Sequence, residues 1–135
     1  MLFRSGDLTA LLSGGAKKRE TETIRVRSVT EKAGAGVAPD ANSPLLLLGD
    51  SHTLVFHDFL AERAGLLDQL ALELGFAADR IGTRGSGATP VRMSLYRQSI
   101  KDADYLAKKK VVVWCFTARE FIEAAQGWPI LPVAK

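Results

Sequence analysis

Four consecutive leucines, Leu45 to Leu48, stand between Pro44 and Gly49 and lead directly into Asp50-Ser51-His52-Thr53. An apolar run this short, bounded by turn residues, reads as a strand buried on both faces. In a mostly parallel sheet, ligands gather at the carboxyl ends of the strands, so Ser51 is placed where a nucleophile would sit. The same three residues, Gly49-Asp50-Ser51, also suit an ordinary turn with a helix N-cap, because Asp and Ser are favoured there for backbone reasons alone.

The pattern downstream supplies the rest of a sheet. Leu67, Leu70, Ala71 and Leu74 recur at helical spacing, with Glu62, Arg63, Asp68 and Glu73 mainly off that stripe and Gly75 placed as a left-handed stop. Asp79 to Thr83, centred on Ile81, follows as a second strand, and a glycine-rich turn runs from Gly82 to Gly87. Thr89-Pro90 has the form of an N-cap and first helical residue, opening a helix whose Met93, Tyr96 and Ile100 share a face. Lys110 to Phe116 is a third strand, too continuously apolar for a sheet with a wet face. Strand, helix, strand, helix, strand gives an α/β fold with right-handed crossovers. Upstream, Leu8, Leu11 and Leu12 form a short amphipathic piece within Met1 to Gly15, Thr21 to Val29 alternates as an edge strand or arm, and Lys32 to Ser43 is an Ala-, Gly- and Pro-rich connection. Trp128-Pro129 closes the chain as a packed tail.

Length and charge narrow the function classes. A chain of 135 residues with 47% hydrophobic residues is the size of one domain. The net charge of +3 includes the clusters Lys17-Lys18-Arg19 and Lys108-Lys109-Lys110, without interleaved aromatics, which does not support nucleic-acid binding. Cys115 is the single cysteine and lies in an apolar strand, so no internal disulfide forms and the thiol is expected to be an inert core group. No apolar run approaches the roughly 20 residues of a membrane span, and the first residues lack the pattern of a signal peptide.

Parallel connectivity brings three loops to one edge of the sheet: Asp50-Ser51, Arg84 to Gly87, and Thr117 to Glu120. Glycines in the second loop would let backbone N–H groups approach an anionic centre, as an oxyanion hole requires, and they equally suit a tight strand-to-helix turn. The loop fits no phosphate-binding or dinucleotide fingerprint. Neither histidine is well placed as a base for Ser51. His52 is its immediate neighbour, and neighbouring side chains diverge. On a continuous helix, His57 would lie about 240° around the axis and about 9 Å along it. Both are expected to be hydrogen-bonded structural or substrate-lining groups.

Taken together, Pro44 to Ser51, Ala64-Gly65-Leu66, Leu70 to Gly75, Gly85-Ser86-Gly87-Ala88 with Arg92, and Lys110 to Glu120 resemble, in order and spacing, the carboxyl-terminal part of the SGNH-hydrolase-like domain of alginate O-acetyltransferases (the AlgX/AlgJ type). The resemblance covers most of the chain, from Gly6-Asp7-Leu8 to Trp128-Pro129. It implies a three-layer, flavodoxin-like fold with a mainly parallel central sheet, with residues 1–135 forming one such domain that lacks its N-terminal part. It also implies a periplasmic protein that passes an acetyl group from a donor to a hydroxyl of a polysaccharide such as alginate, alongside other exopolysaccharide-acetylation proteins, without metal or cofactor. In that scheme Ser51 is the nucleophile, Asp50, Gly85 and Gly87 support the site or its oxyanion, and His52, Arg92, Arg119 and Glu120 contact substrate or support it. The family draws its base and the orienting carboxylate from an upstream Asp-x-His-Trp-type motif that this sequence does not contain, and more often has an aromatic residue at the position of His52. An inactive, carbohydrate-binding module that kept the fold and lost the chemistry is the competing expectation.

Overall fold

The computed structural model describes residues 2–4, 22–30, 37–84 and 87–133. The leucine run becomes β3 (Leu45–Gly49), the centre of a three-stranded, all-parallel sheet in the order β4 (Asp79–Gly82), β3, β5 (Val111–Cys115). Leu46 and Leu47 are fully buried on opposite faces of β3, as a strand with no wet side requires. Full burial of a leucine contributes about 1.5–3 kcal/mol, so this strand is the largest single apolar investment in the sheet. β1 (Leu2–Arg4) and β2 (Glu22–Ile24) pair antiparallel in a separate two-stranded sheet. β2 matches the expected arm, and residues 25–30 continue it irregularly until Val29, buried, donates its N–H to the Arg63 carbonyl at 2.7 Å. The amphipathic piece around Leu8, Leu11 and Leu12, the cluster Lys17-Lys18-Arg19, and Gly85 and Ser86 lie outside the described residues.

From β3 the chain steps to one side of the sheet through α2 (Leu66–Leu74), and from β4 it crosses back over β3 through α3 (Ala88–Lys101). Right-handed crossovers in opposite directions put the two helices on opposite faces, which makes the sheet the middle of three layers with the strand order of a flavodoxin-like fold. On one face Leu45 and Leu47 pack with Leu67, Leu70 and Ala78, joined by Val113 and Cys115 of β5. The other face carries α3, whose buried residues are Ala88 and Val91.

Four sequence expectations change in detail. β5 is an edge strand, and Val111 and Val112 are 53% and 48% exposed; an apolar run alone cannot distinguish a central strand from an edge. α3 begins at Ala88 with Gly87 as its N-cap, two residues before the expected Pro90, and Pro90 sits in the first turn where its missing N–H costs nothing. The core face of α3 is Ala88 and Val91, while Ile100 is exposed. In α2, ended by Gly75 in the left-handed region (φ 74°), Asp68 points inward and is fully buried. It reaches back one turn to accept the Gly65 N–H at 2.9 Å, closing the helix start.

The amino-terminal edge of the sheet is held by a buried polar cluster. Lys109, its side chain 2% exposed, donates to Asp79 Oδ2 at 2.6 Å, to the Ala41 carbonyl at 2.7 Å and to the Ser43 carbonyl at 3.0 Å. All three ammonium protons are thereby used. Tyr105 donates its hydroxyl to the same Asp79 carboxylate and lies under the ammonium, with Nζ 4.5 Å from the ring centroid. Burial, and then the Asp79 carboxylate, push the Tyr105 phenol far above its ordinary value, so it stays a donor. Lys109→Ala should therefore destabilise the protein by about 3–5 kcal/mol in urea unfolding by leaving Asp79 buried without its counter-charge. Lys108→Ala, which removes an exposed pair with Asp102, should leave stability nearly unchanged in the same measurement.

Candidate active site

All three strands end on the same side. Gly49 is in register with Gly82 on one flank and with Cys115 on the other. The loops beyond are tied to one another. The Thr83 N–H donates to the Gly49 carbonyl at 3.3 Å, joining the end of β4 to the end of β3. Glu120 Oε2 accepts the Ala88 N–H at 2.9 Å, joining the loop after β5 to the start of α3. The register of Gly49 with Cys115 sets the start of the Asp50 turn beside the end of β5. Among the described residues, the strand ends that lead into the three expected loops lie side by side, as parallel connectivity demands.

Ser51 is the first residue of α1 (Ser51–Leu54), half-buried, immediately after the N-cap Asp50. The Asp50 carboxylate accepts the His52 N–H at 2.9 Å, and Thr53 Oγ1 donates to the Asp50 carbonyl at 2.7 Å. Gly49 has a steric reason to be glycine, since a Cβ there would overlap the Thr53 side chain. The turn that presents Ser51 is thus closed from both sides by short-range hydrogen bonds and one close approach.

The two histidines part company. His52 has Nδ1 3.1 Å from Asp50 Oδ1 and a side chain 69% exposed. His57 lies in a π-helical turn (Val55–Phe59), closed by the Leu60 N–H on the Val55 carbonyl at 2.8 Å. Its Nδ1 is 2.9 Å from both oxygens of Asp68, and its Nε2 is 3.7 Å from Asp58, which is paired with Arg80 at 2.9 Å. Both ring nitrogens face carboxylates, so His57 is committed to the scaffold. The His57–Asp68 pair escaped the sequence reading because the two residues lie on different elements, the π turn and α2, and a contact between elements leaves no local periodicity.

Gly87 sits against Glu120. A Cβ on Gly87 would overlap Glu120 Oε1, so glycine here makes room for a carboxylate that is itself buried. That negative charge lies at the start of a 14-residue helix, where the peptide dipoles favour it. Gly85, the other expected oxyanion contributor, is outside the described residues. Arg84 rests on the Phe59 ring, 4.2 Å from its centroid, linking the second loop to the π turn. Arg119 is exposed at the N-cap position of α4 (Glu120–Glu123).

Arg92 is one helical turn beyond Ala88 on α3. It donates from Nη2 to the Pro129 carbonyl at 2.8 Å and stacks on Trp128 at 5.7 Å. Trp128 packs on Trp114 (5.3 Å between ring centroids) and edge-on to Phe116 (5.7 Å), and Phe121 completes the cluster. Among the described residues, the buried side-chain polar atoms without a hydrogen-bond partner are Arg92 Nη1, Trp114 Nε1, Thr117 Oγ1 and Trp128 Nε1, all on this flank. No group of three or more potential metal ligands occurs among the described residues, and no helix there is long and apolar enough to cross a membrane. Comparison with known protein families, with curated proteins and with solved structures returns no match.

Cys115 provides a test of this arrangement. Burial, reinforced by the Asp50 carboxylate, raises its thiol above the ordinary value, so the nucleophilic thiolate is scarce at neutral pH. Modification by a thiol reagent should be slow in the native state, become fast on denaturation, and accelerate in native Asp50→Asn at the same pH. Rapid modification of native wild type would contradict the packing of β5 against the Asp50 turn.

Proposed function

We propose that the carboxyl edge is an acyl-transfer site, in which Ser51 accepts an acetyl group from a donor ester and hands it to a hydroxyl of a polysaccharide, or to water. The observation that supports this most directly is the placement of Ser51. It opens a helix at the end of the central buried strand, between two loops hydrogen-bonded to their neighbours. The resemblance of the sequence blocks to the SGNH-hydrolase-like O-acetyltransferases points the same way, and would make this a periplasmic protein of exopolysaccharide acetylation.

The chemistry would run in two halves. Ser51 Oγ attacks the acetyl carbonyl carbon and gives its proton to a base; the donor C–O bond breaks, and the leaving oxygen takes that proton. The acceptor hydroxyl then attacks the acetyl-serine, and the same proton transfers run in reverse. The base is the open place in this scheme, because His57 is held between Asp68 and Asp58 and His52 is adjacent to Ser51 in the chain. In the family an Asp-x-His-Trp-type segment fills that role.

The aromatic cluster favours a second reading. Phe121, 72% exposed, lies beside Phe116 and Trp128, and faces of this kind stack on sugar rings, so the module would bind carbohydrate without transforming it. Prolonged incubation with a fluorophosphonate, read by intact mass, separates the two. Labelling abolished by Ser51→Ala is expected; a folded chain that stays unlabelled supports the binding module. Steady-state turnover of acetyl esters by the 135-residue chain should be very slow, and adding an Asp-x-His-Trp-type segment should raise it by several orders of magnitude. Full enzymatic rates lost in His52→Ala would instead make that histidine the base.

A further inference from the structure

We propose that Glu120 is a positioning residue for this site: its buried carboxylate fixes the Gly87–Ala88 backbone at the start of α3, on the same edge of the sheet as Ser51. The proposal rests on the acyl-transfer reading above. One contact, seen in its hydrogen bond and in its steric fit, carries it. The Glu120 side chain crosses from the loop after β5 to the loop after β4, a sequence separation of 32 residues, and its Oε2 takes the Ala88 N–H at 2.9 Å. The space it occupies is available only because residue 87 has no side chain, so the two positions are sterically matched. Gly87 has φ −80°, a value any residue adopts, so its need for glycine comes from this contact and not from backbone conformation.

The physical role follows from where the contact lies. The first N–H groups of a helix have no partner within it, and at the start of α3 one of them is satisfied by a carboxylate from another loop. Releasing it would free the Gly87 N-cap to move, and a displacement of about 1 Å in an oxyanion-contributing backbone costs on the order of a hundredfold in rate. The Ala88 amide is not itself an oxyanion donor, because it is already used. Glu120 is anchored in turn: its N–H donates to the Thr117 carbonyl at 3.1 Å, and its carbonyl accepts the Ala124 N–H at 3.2 Å. The strut therefore joins two loops that are each tied back to their own strand or helix.

The test is the rate at which a fluorophosphonate labels Ser51 in the whole chain. Glu120→Ala should slow labelling on the order of tenfold or more, and added formate, which can fill the vacated carboxylate position, should restore much of it. Glu120→Gln keeps an acceptor oxygen for the Ala88 N–H and should stay within about threefold of wild type. Gly87→Ala, whose new methyl displaces the carboxylate, should slow labelling like Glu120→Ala, and the double variant should be no slower than either alone. It also provides a second route should Glu120→Ala fold poorly. Labelling of folded Glu120→Ala or Gly87→Ala at the wild-type rate overturns the positioning role while leaving the acyl-transfer reading intact. Glu120→Gln as slow as Glu120→Ala overturns positioning through this hydrogen bond. A folded wild type that is never labelled at Ser51 overturns both.

Discussion

The burial of β3 on both faces is the constraint on which the other elements depend. Leu46 and Leu47 are shielded only if a layer lies on each side of the strand and a neighbour on each edge. Parallel pairing satisfies the edges, and parallel pairing requires helical crossovers, which supply the layers. The requirement to hide four leucines thus also delivers three strand ends to a common edge. The candidate site is a by-product of solving a packing problem.

The two ends of the sheet solve different electrostatic problems. At the amino edge, Lys109, Asp79 and Tyr105 form a closed group in which every ammonium proton has an acceptor. Such a group contributes rigidity and leaves nothing for a ligand. At the carboxyl edge, charge is distributed over loops: Asp50 on the helix it caps, Glu120 on the start of α3, and Arg92 partly satisfied by the Pro129 carbonyl. Buried polar atoms without a partner are found there among the described residues, on Arg92, Trp114, Thr117 and Trp128.

Much of this was legible in the sequence. Local patterns found the central strand, α2 with its glycine stop, the second strand and the third, because apolar periodicity and turn residues act over a few positions. The convergence of the three loops followed from topology alone. What escaped depends on distant partners. Asp68 reads as a solvent-facing residue on a helical wheel, and its partners His57 and the Gly65 N–H make its burial tolerable. Gly87 reads as one glycine among several until Glu120 is seen to occupy the place of its side chain. The status of β5 as an edge was equally hidden, since continuous hydrophobicity describes composition and not position in the sheet.

That edge has a consequence for how the protein behaves in company. β5 presents the half-exposed Val111 and Val112 along a side that carries no further strand among the described residues, and such an edge is a template for pairing with any extended chain. The lysines before it act as a guard. Lys109 is turned inward, but Lys108 and Lys110 are exposed at the mouth of the strand. If two copies were to extend their sheets through β5 in parallel register, each Lys110 would be brought beside its counterpart, and like charges placed side by side oppose that pairing. In the antiparallel register the lysines move to opposite ends and the guard is absent, so self-association through this strand is biased in direction.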